Sequence, residues 1–141
     1  MSVDWITMVP SIVYTRIITE FSETIKNEYN MTDKNFSTIG AIDTAPVFPF
    51  VYIGTLPGKE EGKDLEGRCI NGGTFAFQID VTDNKSQYNA RKVMNEVIRI
   101  MKSMGFEVNQ FPNPEDTKDT HRMIARFRRI IGASDTLLCK F

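Results

Sequence analysis

The chain has 141 residues, 41% hydrophobic and 25% charged, with a formal net charge of -1. That length suffices for one domain, residues 1–141, with a sizeable core. The near-neutral balance argues against general nucleic-acid binding, which needs a basic surface, and the two distant cysteines, Cys69 and Cys139, make neither a disulfide framework nor a zinc site.

The start of the chain lacks a basic segment followed by an apolar run and a small-residue cleavage site, so no signal peptide is expected. No apolar run is long enough to span a membrane, and no membrane partner is expected. Free thiols fit a reducing cytoplasm. The glycosylation sequons at Asn30 and Asn35 read as chance matches.

Pro10 suits a helix's first turn. Val13, Ile17, Phe21, Ile25 and Tyr29 then recur at helical spacing, opposite Arg16, Glu20, Glu23 and Lys26. The pattern predicts a helix from Pro10 to Asn27 lying on a sheet. Residues 28–47 are polar and punctuated, and read as a long connection with at most a short helical turn.

Phe48 to Leu56 is the first expected strand, with Pro49 at its entry. Residues 57–68 hold Lys59, Glu60, Glu61, Lys63, Asp64, Glu66 and Arg68 with almost nothing apolar, and read as a mobile, charged hairpin tip. Gly72-Gly73 permits a bend or bulge. From Thr74 to Thr82, Phe75, Phe77, Ile79 and Val81 alternate with Gln78, Asp80 and Thr82, the period of a half-buried strand. Residues 48–82 thus form one long β-hairpin arm.

Asp83 and Asn84 stop that strand and offer a helix N-cap, with Gln87 placed for a capping box. Ala90, Val93, Met94, Val97, Met101 and Met104 form one apolar stripe, with Asn89, Lys92, Glu96, Arg99 and Ser103 opposite. Lys92 and Glu96 should therefore tolerate substitution. Gly105 follows as a C′ residue. Phe106 to Phe111 alternates as a strand, and Pro112-Asn113-Pro114 with the charged run to Asp119 reads as a turn. Thr120 to Ile131 is the last strand. Met123, Ala125, Phe127, Ile131 and Arg129 share one face, while Arg122, Ile124, Arg126, Arg128 and Ile130 share the other. Residues 132–141 form a tail too short to fold alone, able to add to an edge or reach a neighbour. The expected fold is α+β: a four-stranded, mostly antiparallel sheet with two helices packed on one face and a long β-hairpin arm.

No catalytic constellation is evident. His121, the one histidine, lacks a second ligand, an acid or a nucleophile at motif spacing. Asp83 reads as a cap and Asp80 as the outward face of a strand. No glycine spacing matches a phosphate loop, and no cofactor or metal is expected. Arg122, Arg126, Arg128 and Arg129 are more informative. Several arginines on one strand either form a solvated face or need counter-charges, from phosphates or from carboxylates of another subunit. Glu60, Glu61, Asp64 and Glu66 supply such carboxylates, which suggests head-to-tail self-association into a ring.

The combination FPFVYIG, a charged tip, FAFQIDVTDN, a helix ending MKSMGF, a Pro-containing turn and HRMIARFRRIIG resembles the tail terminator (tail completion) proteins of tailed bacteriophages. The likeness covers residues 48–132. It implies an α+β subunit of a homohexameric ring that caps the head-proximal end of the tail tube, halts tube polymerisation and faces the head–tail connector. The implied partners are further copies of the chain, the tail tube protein and connector proteins, with passing contact to DNA in the lumen. Assembly would take place in the host bacterial cytoplasm, and the product would reside in the virion tail. Residues 57–68 would be a loop ordered on assembly, and no catalytic residue comes with the likeness. The expected interface set is Lys59, Glu60, Glu61, Lys63, Asp64, Glu66, Arg68, Arg122, Arg126 and Arg128. Competing readings are a head completion, connector or minor capsid protein of the same architecture, and a nucleic-acid-binding module using the Arg122–Arg129 strand. A small α+β enzyme is the third.

Overall fold

The computed structural model describes residues 4–38, 47–62 and 71–139. The interface candidates Lys63, Asp64, Glu66 and Arg68, together with Cys69, lie outside the described residues.

The sheet has five strands, not four. They are β1 (Phe36–Ser37), β2 (Phe50–Glu61), β3 (Gly72–Asp83), β4 (Glu107–Asp116) and β5 (His121–Gly132). Their spatial order is β1-β2-β3-β5-β4. The pairs β2–β3, β3–β5 and β5–β4 are antiparallel, and β1 pairs with β2 in parallel. The helix α3 (Gln87–Ser103) carries the chain from β3 to β4, and β5 then returns between them. The sheet is therefore mixed. β1 escaped the sequence reading because two residues are too few to show a period. It is held by the fully buried Asn35, whose side chain accepts from Thr32 N at 2.9 Å and donates to Pro49 O at 2.7 Å. Asn35, a sequon residue, is thus a buried structural bridge.

The core lies on one face of the sheet. Phe77, Ile79 and Val81 of β3, Ile53 of β2 and Ala125, Phe127 and Ile131 of β5 are buried there, as the alternation requires. α3 lays Ala90, Val93, Met94, Val97, Ile100 and Met101 onto this face. Its end is a Schellman motif: Phe106 N donates to Met101 O at 3.1 Å and Gly105 N to Lys102 O at 2.9 Å, with Gly105 at φ +86°. Gly105 is the C′ residue the sequence indicated. The N-cap is not. Ser86 caps α3 by accepting from Asn89 N, while Asp83 accepts from Lys85 N and Ser86 N, both at 3.0 Å, and so shapes the turn ahead of the helix.

The first predicted helix is two. α1 (Asp4–Glu20) begins six residues before Pro10, and α2 (Glu23–Tyr29) follows a break at Phe21 and Ser22. Val9, Ile12, Val13, Ile17 and Phe21 reach the core, so the apolar stripe runs through the break in phase and hides it.

Two further boundaries moved. Pro112 and Pro114 sit inside β4 rather than in a turn, and the turn is Thr117–Thr120, closed by Thr117 N donating to Thr120 O at 2.8 Å. β4 is an outer strand, where proline is tolerated, and its ladder to β5 is irregular between Gln110 and Asn113, around Pro112. Residues 57–61 belong to β2, with Lys59, Glu60 and Glu61 opposite Thr74, Gly73 and Gly72. The irregularity is at Pro57-Gly58 of β2, not at Gly72-Gly73. A Cβ on Gly58 would stand 2.0 Å from Thr74 O, so only glycine fits. The described residues after β5, 133–139, fold back onto the same subunit. α4 (Thr136–Cys139) buries Leu137 in the core. Among the described residues, no helix is long and apolar enough to cross a membrane.

Candidate assembly surface

Helices cover one face of the sheet. The opposite face carries the even-numbered residues of β3 and β5, set by the register Thr82↔Arg122, Asp80↔Ile124, Gln78↔Arg126, Ala76↔Arg128. β4 adds Glu107, Gln110 and Glu115 opposite Arg128, Arg126 and Arg122. The parity read from sequence thus places Arg122, Arg126 and Arg128 together, and Arg129 on the core side.

Two of the three have a carboxylate partner within the same subunit. Arg122 pairs with Asp80, and its second terminal nitrogen lies 3.6 Å from Glu115. Arg128 Nε donates to Glu107 Oε1 at 2.9 Å. Arg126 Nε donates to the neutral Gln78 Oε1 at 3.0 Å, and Gln78 in turn donates to Asp80 at 3.3 Å. Among the described residues Arg126 alone of the three has no carboxylate partner. Asp80 does point away from the helices, but its side chain is only 6% exposed beneath Arg122. It is an anchor for Arg122 rather than an outward residue.

Arg129 donates to both oxygens of Asp135, at 3.0 and 2.9 Å, and Leu137 N also donates to Asp135. This bidentate pair ties the end of β5 to α4. On the hairpin, Lys59 Nζ lies 3.6 Å from Glu61, and Glu61 accepts from Thr74 Oγ1 at 3.0 Å. Glu61 is therefore engaged within the hairpin. His121 faces Asp116 at 3.3 Å, an acidic neighbour that sequence spacing had not suggested.

The polar stripe of α3 is only partly a solvent face. Tyr29 Oη donates to Asn89 at 3.0 Å, Lys92 donates to Glu28 at 2.7 Å, and Glu96 accepts from Ser22 N at 2.8 Å. Arg99 donates to Glu96 at 2.6 Å and to Glu20 O at 3.0 Å. Residues 89, 92, 96 and 99 thus form a seam to α1 and α2. The hydrogen bond from Arg99 holds the Glu96 carboxyl below the usual carboxylate range, against the opposing effect of burial, and Ser22 N–H assists. The expected tolerance is overturned at Glu96, which this seam buries, whereas Lys92 meets Glu28 at a half-exposed pair.

Both sheet margins are open among the described residues. β1 covers β2 only at Val51 and Tyr52, so β2 from Ile53 to Glu61 has a strand neighbour on one side. β4 has β5 alone. Its ladder skips Phe111 and Pro112, and Phe111 stands out 80% exposed. No protein-family model matches the chain, and no curated protein sequence matches it significantly.

Proposed function

We propose that this chain is a non-enzymatic structural protein of a tailed bacteriophage. It forms a hexameric ring that caps the head-proximal end of the tail tube, stops tube polymerisation and meets the head–tail connector. Its partners are further copies of itself, the tail tube protein and connector proteins, with DNA passing through the lumen. It assembles in the host bacterial cytoplasm and resides in the virion tail. The order of the motifs across residues 48–132 is one support. The structural observation that carries the reading is the pair of unlike open margins, β2 beyond Tyr52 and β4 along its length, at opposite sides of one sheet. Unlike surfaces on opposite sides favour a heterologous head-to-tail contact, which closes into a ring when the rotation per subunit allows.

A head completion, connector or minor capsid protein of the same architecture is the nearest competitor, because the same margins would serve it. The nucleic-acid reading is weakened by the internal pairing of Arg122 with Asp80 and of Arg128 with Glu107, which leaves Arg126, of these three and among the described residues, without an acid. Electron microscopy of the purified protein mixed with tail tubes separates these readings. Rings seated on one end of each tube, and tubes that no longer elongate, are expected. Rings that bind head shells but ignore tubes would move the protein to the head side. Salt-sensitive binding to short DNA or RNA without rings would replace the reading.

A further inference from the structure

Between the first turns of α1 and the far end of the β2–β3 hairpin lies a groove of about 420 Å³. Trp5 forms one wall and Phe75 another, their rings 5.9 Å apart. Ile6 and Pro10 of α1 and Thr55, Leu56 and Gly73 of the hairpin are also in the lining, and the surface is mainly apolar. It lies on the helix side of the sheet, where β2 and β3 run past the start of α1. The indole Nε1 of Trp5 is buried and has no acceptor among the described residues. A buried donor without a partner costs free energy until something supplies an acceptor.

Across the sheet, β4 presents the complementary features. Phe111 is the most exposed large hydrophobic among the described residues, on the stretch that the β5 ladder skips. It is flanked by Pro112, with Pro114 two residues on. Those prolines offer carbonyls and no N–H, so this margin is rich in acceptors and poor in donors. An apolar hole thus lies at one margin of the sheet and an apolar knob at the other. A groove of this volume admits a phenylalanine side chain and part of its flanking backbone.

We infer that Phe111 of one copy seats in the Trp5–Phe75 groove of the next. This rests on the ring reading above and assigns its contact. Because knob and hole lie on opposite margins, each copy gives one and receives one, and the contact propagates head to tail. Lys59 stands at the groove rim with its side chain 76% exposed, and β4 carries the half-exposed acids Glu115 and Asp116 beyond Phe111, so opposite charges flank hole and knob.

Trp5 is the one tryptophan in the chain, so its fluorescence reports the groove directly. The test follows full-length protein by sedimentation velocity and tryptophan emission over a concentration series. Assembly should blue-shift the emission. Phe111→Ser changes an exposed residue and should leave far-UV circular dichroism intact while weakening association by about 30-fold, the loss typical of a buried aromatic anchor. Thr55→Tyr fills the groove from an exposed position and should do the same. Mixing the two variants rebuilds one sound contact, from the Thr55→Tyr copy's Phe111 into the Phe111→Ser copy's groove, and should yield heterodimers that stop there. If the wild-type chain forms rings and Phe111→Ser forms them equally well, with the same emission shift, this contact is wrong and the ring reading survives. If the wild-type chain stays monomeric throughout, the ring reading fails and takes the contact with it. An emission shift that follows added tail tubes instead of protein concentration assigns the groove to the tube and overturns the inference.

Discussion

The carboxylate of Glu96 accepts the backbone N–H of Ser22 at 2.8 Å, across 74 residues of chain. Ser22 is where α1 ends and α2 begins. A helix break leaves carbonyls and N–H groups without intrahelical partners. Here Lys26 Nζ donates to Ile18 O at 2.9 Å, Arg99 donates to Glu20 O, and Glu96 takes Ser22 N–H while holding Arg99. Glu96 is 8% exposed, so removing it leaves a buried donor unmet and frees Arg99. Glu96→Ala should cost about 1–3 kcal/mol, and Lys92→Ala, at an exposed pair with Glu28, clearly less. Urea denaturation of the two variants checks the contrast. Equal, small losses would show that the seam contributes little.

The same carboxylate predicts an acid limb in the stability curve. Its folded-state pKa lies below its unfolded value, chiefly through Arg99. The stabilisation is therefore fully present above the unfolded value of about 4.3 and is lost as pH falls through the lower folded value. Denaturation midpoints measured from about pH 6 down to pH 3 should fall less steeply in Glu96→Gln than in the wild type. Parallel curves would assign the acid limb to other carboxylates.

Two glycines are fixed by geometry. At Gly58 a Cβ would meet Thr74 O at 2.0 Å, and backbone there cannot swing aside as a side-chain tip can. Gly58→Ala should cost about 2–3 kcal/mol, the upper range for overpacking. Gly105 has φ +86°, and a Cβ there would stand 3.0 Å from Arg129 Nε. Gly105→Ala should cost about 1–2 kcal/mol from the left-handed backbone alone. Thermal melts rank them, with Gly62→Ala as a control that meets no neighbour yet carries φ +66°. If Gly58→Ala melts with the wild type, β2 does not approach β3 as described.

On the open face, Asp80 and Arg126 should separate folding from assembly. Asp80→Asn removes the charge beneath Arg122 and should destabilise the monomer by about 1.5–3 kcal/mol, as loss of a hydrogen bond between charged groups does. Arg126→Gln breaks no ion pair within the subunit and should leave the denaturation midpoint within about 0.5 kcal/mol of wild type. Any loss of assembly in Arg126→Gln then reports a contact between subunits. Denaturation and sedimentation on both variants check this. A large stability loss in Arg126→Gln would mean that its bond to Gln78 matters more than the exposed geometry implies.

Much of this was legible where one element decides its own pattern. The alternation of Phe77, Ile79 and Val81, the stripe of α3, the stop at Gly105 and the placing of Arg122, Arg126 and Arg128 on one face all follow from local period. What failed depends on distant chain. The α1–α2 break is satisfied by Glu96 and Arg99, while the apolar stripe passes through it unbroken. Pro112 and Pro114 signal a turn unless the strand is known to be an edge, which topology alone decides. The partners of the arginines were hidden for the same reason. β5 lies between β3 and β4, so Asp80 and Glu115 both reach Arg122, and Glu107 reaches Arg128. No local spacing encodes that register. Phe111 read as the end of an alternating strand, and only the irregular ladder reveals it as a knob.

The mass of the particle in solution tests the central claim most directly. Native mass spectrometry of the full chain across a concentration series should show monomers giving way to a species of six copies, with the balance moving toward monomers at high salt as exposed charge contacts are screened. A chain that stays monomeric at every concentration, and shows no higher assembly when tail tubes are added, would contradict the ring and the function built on it.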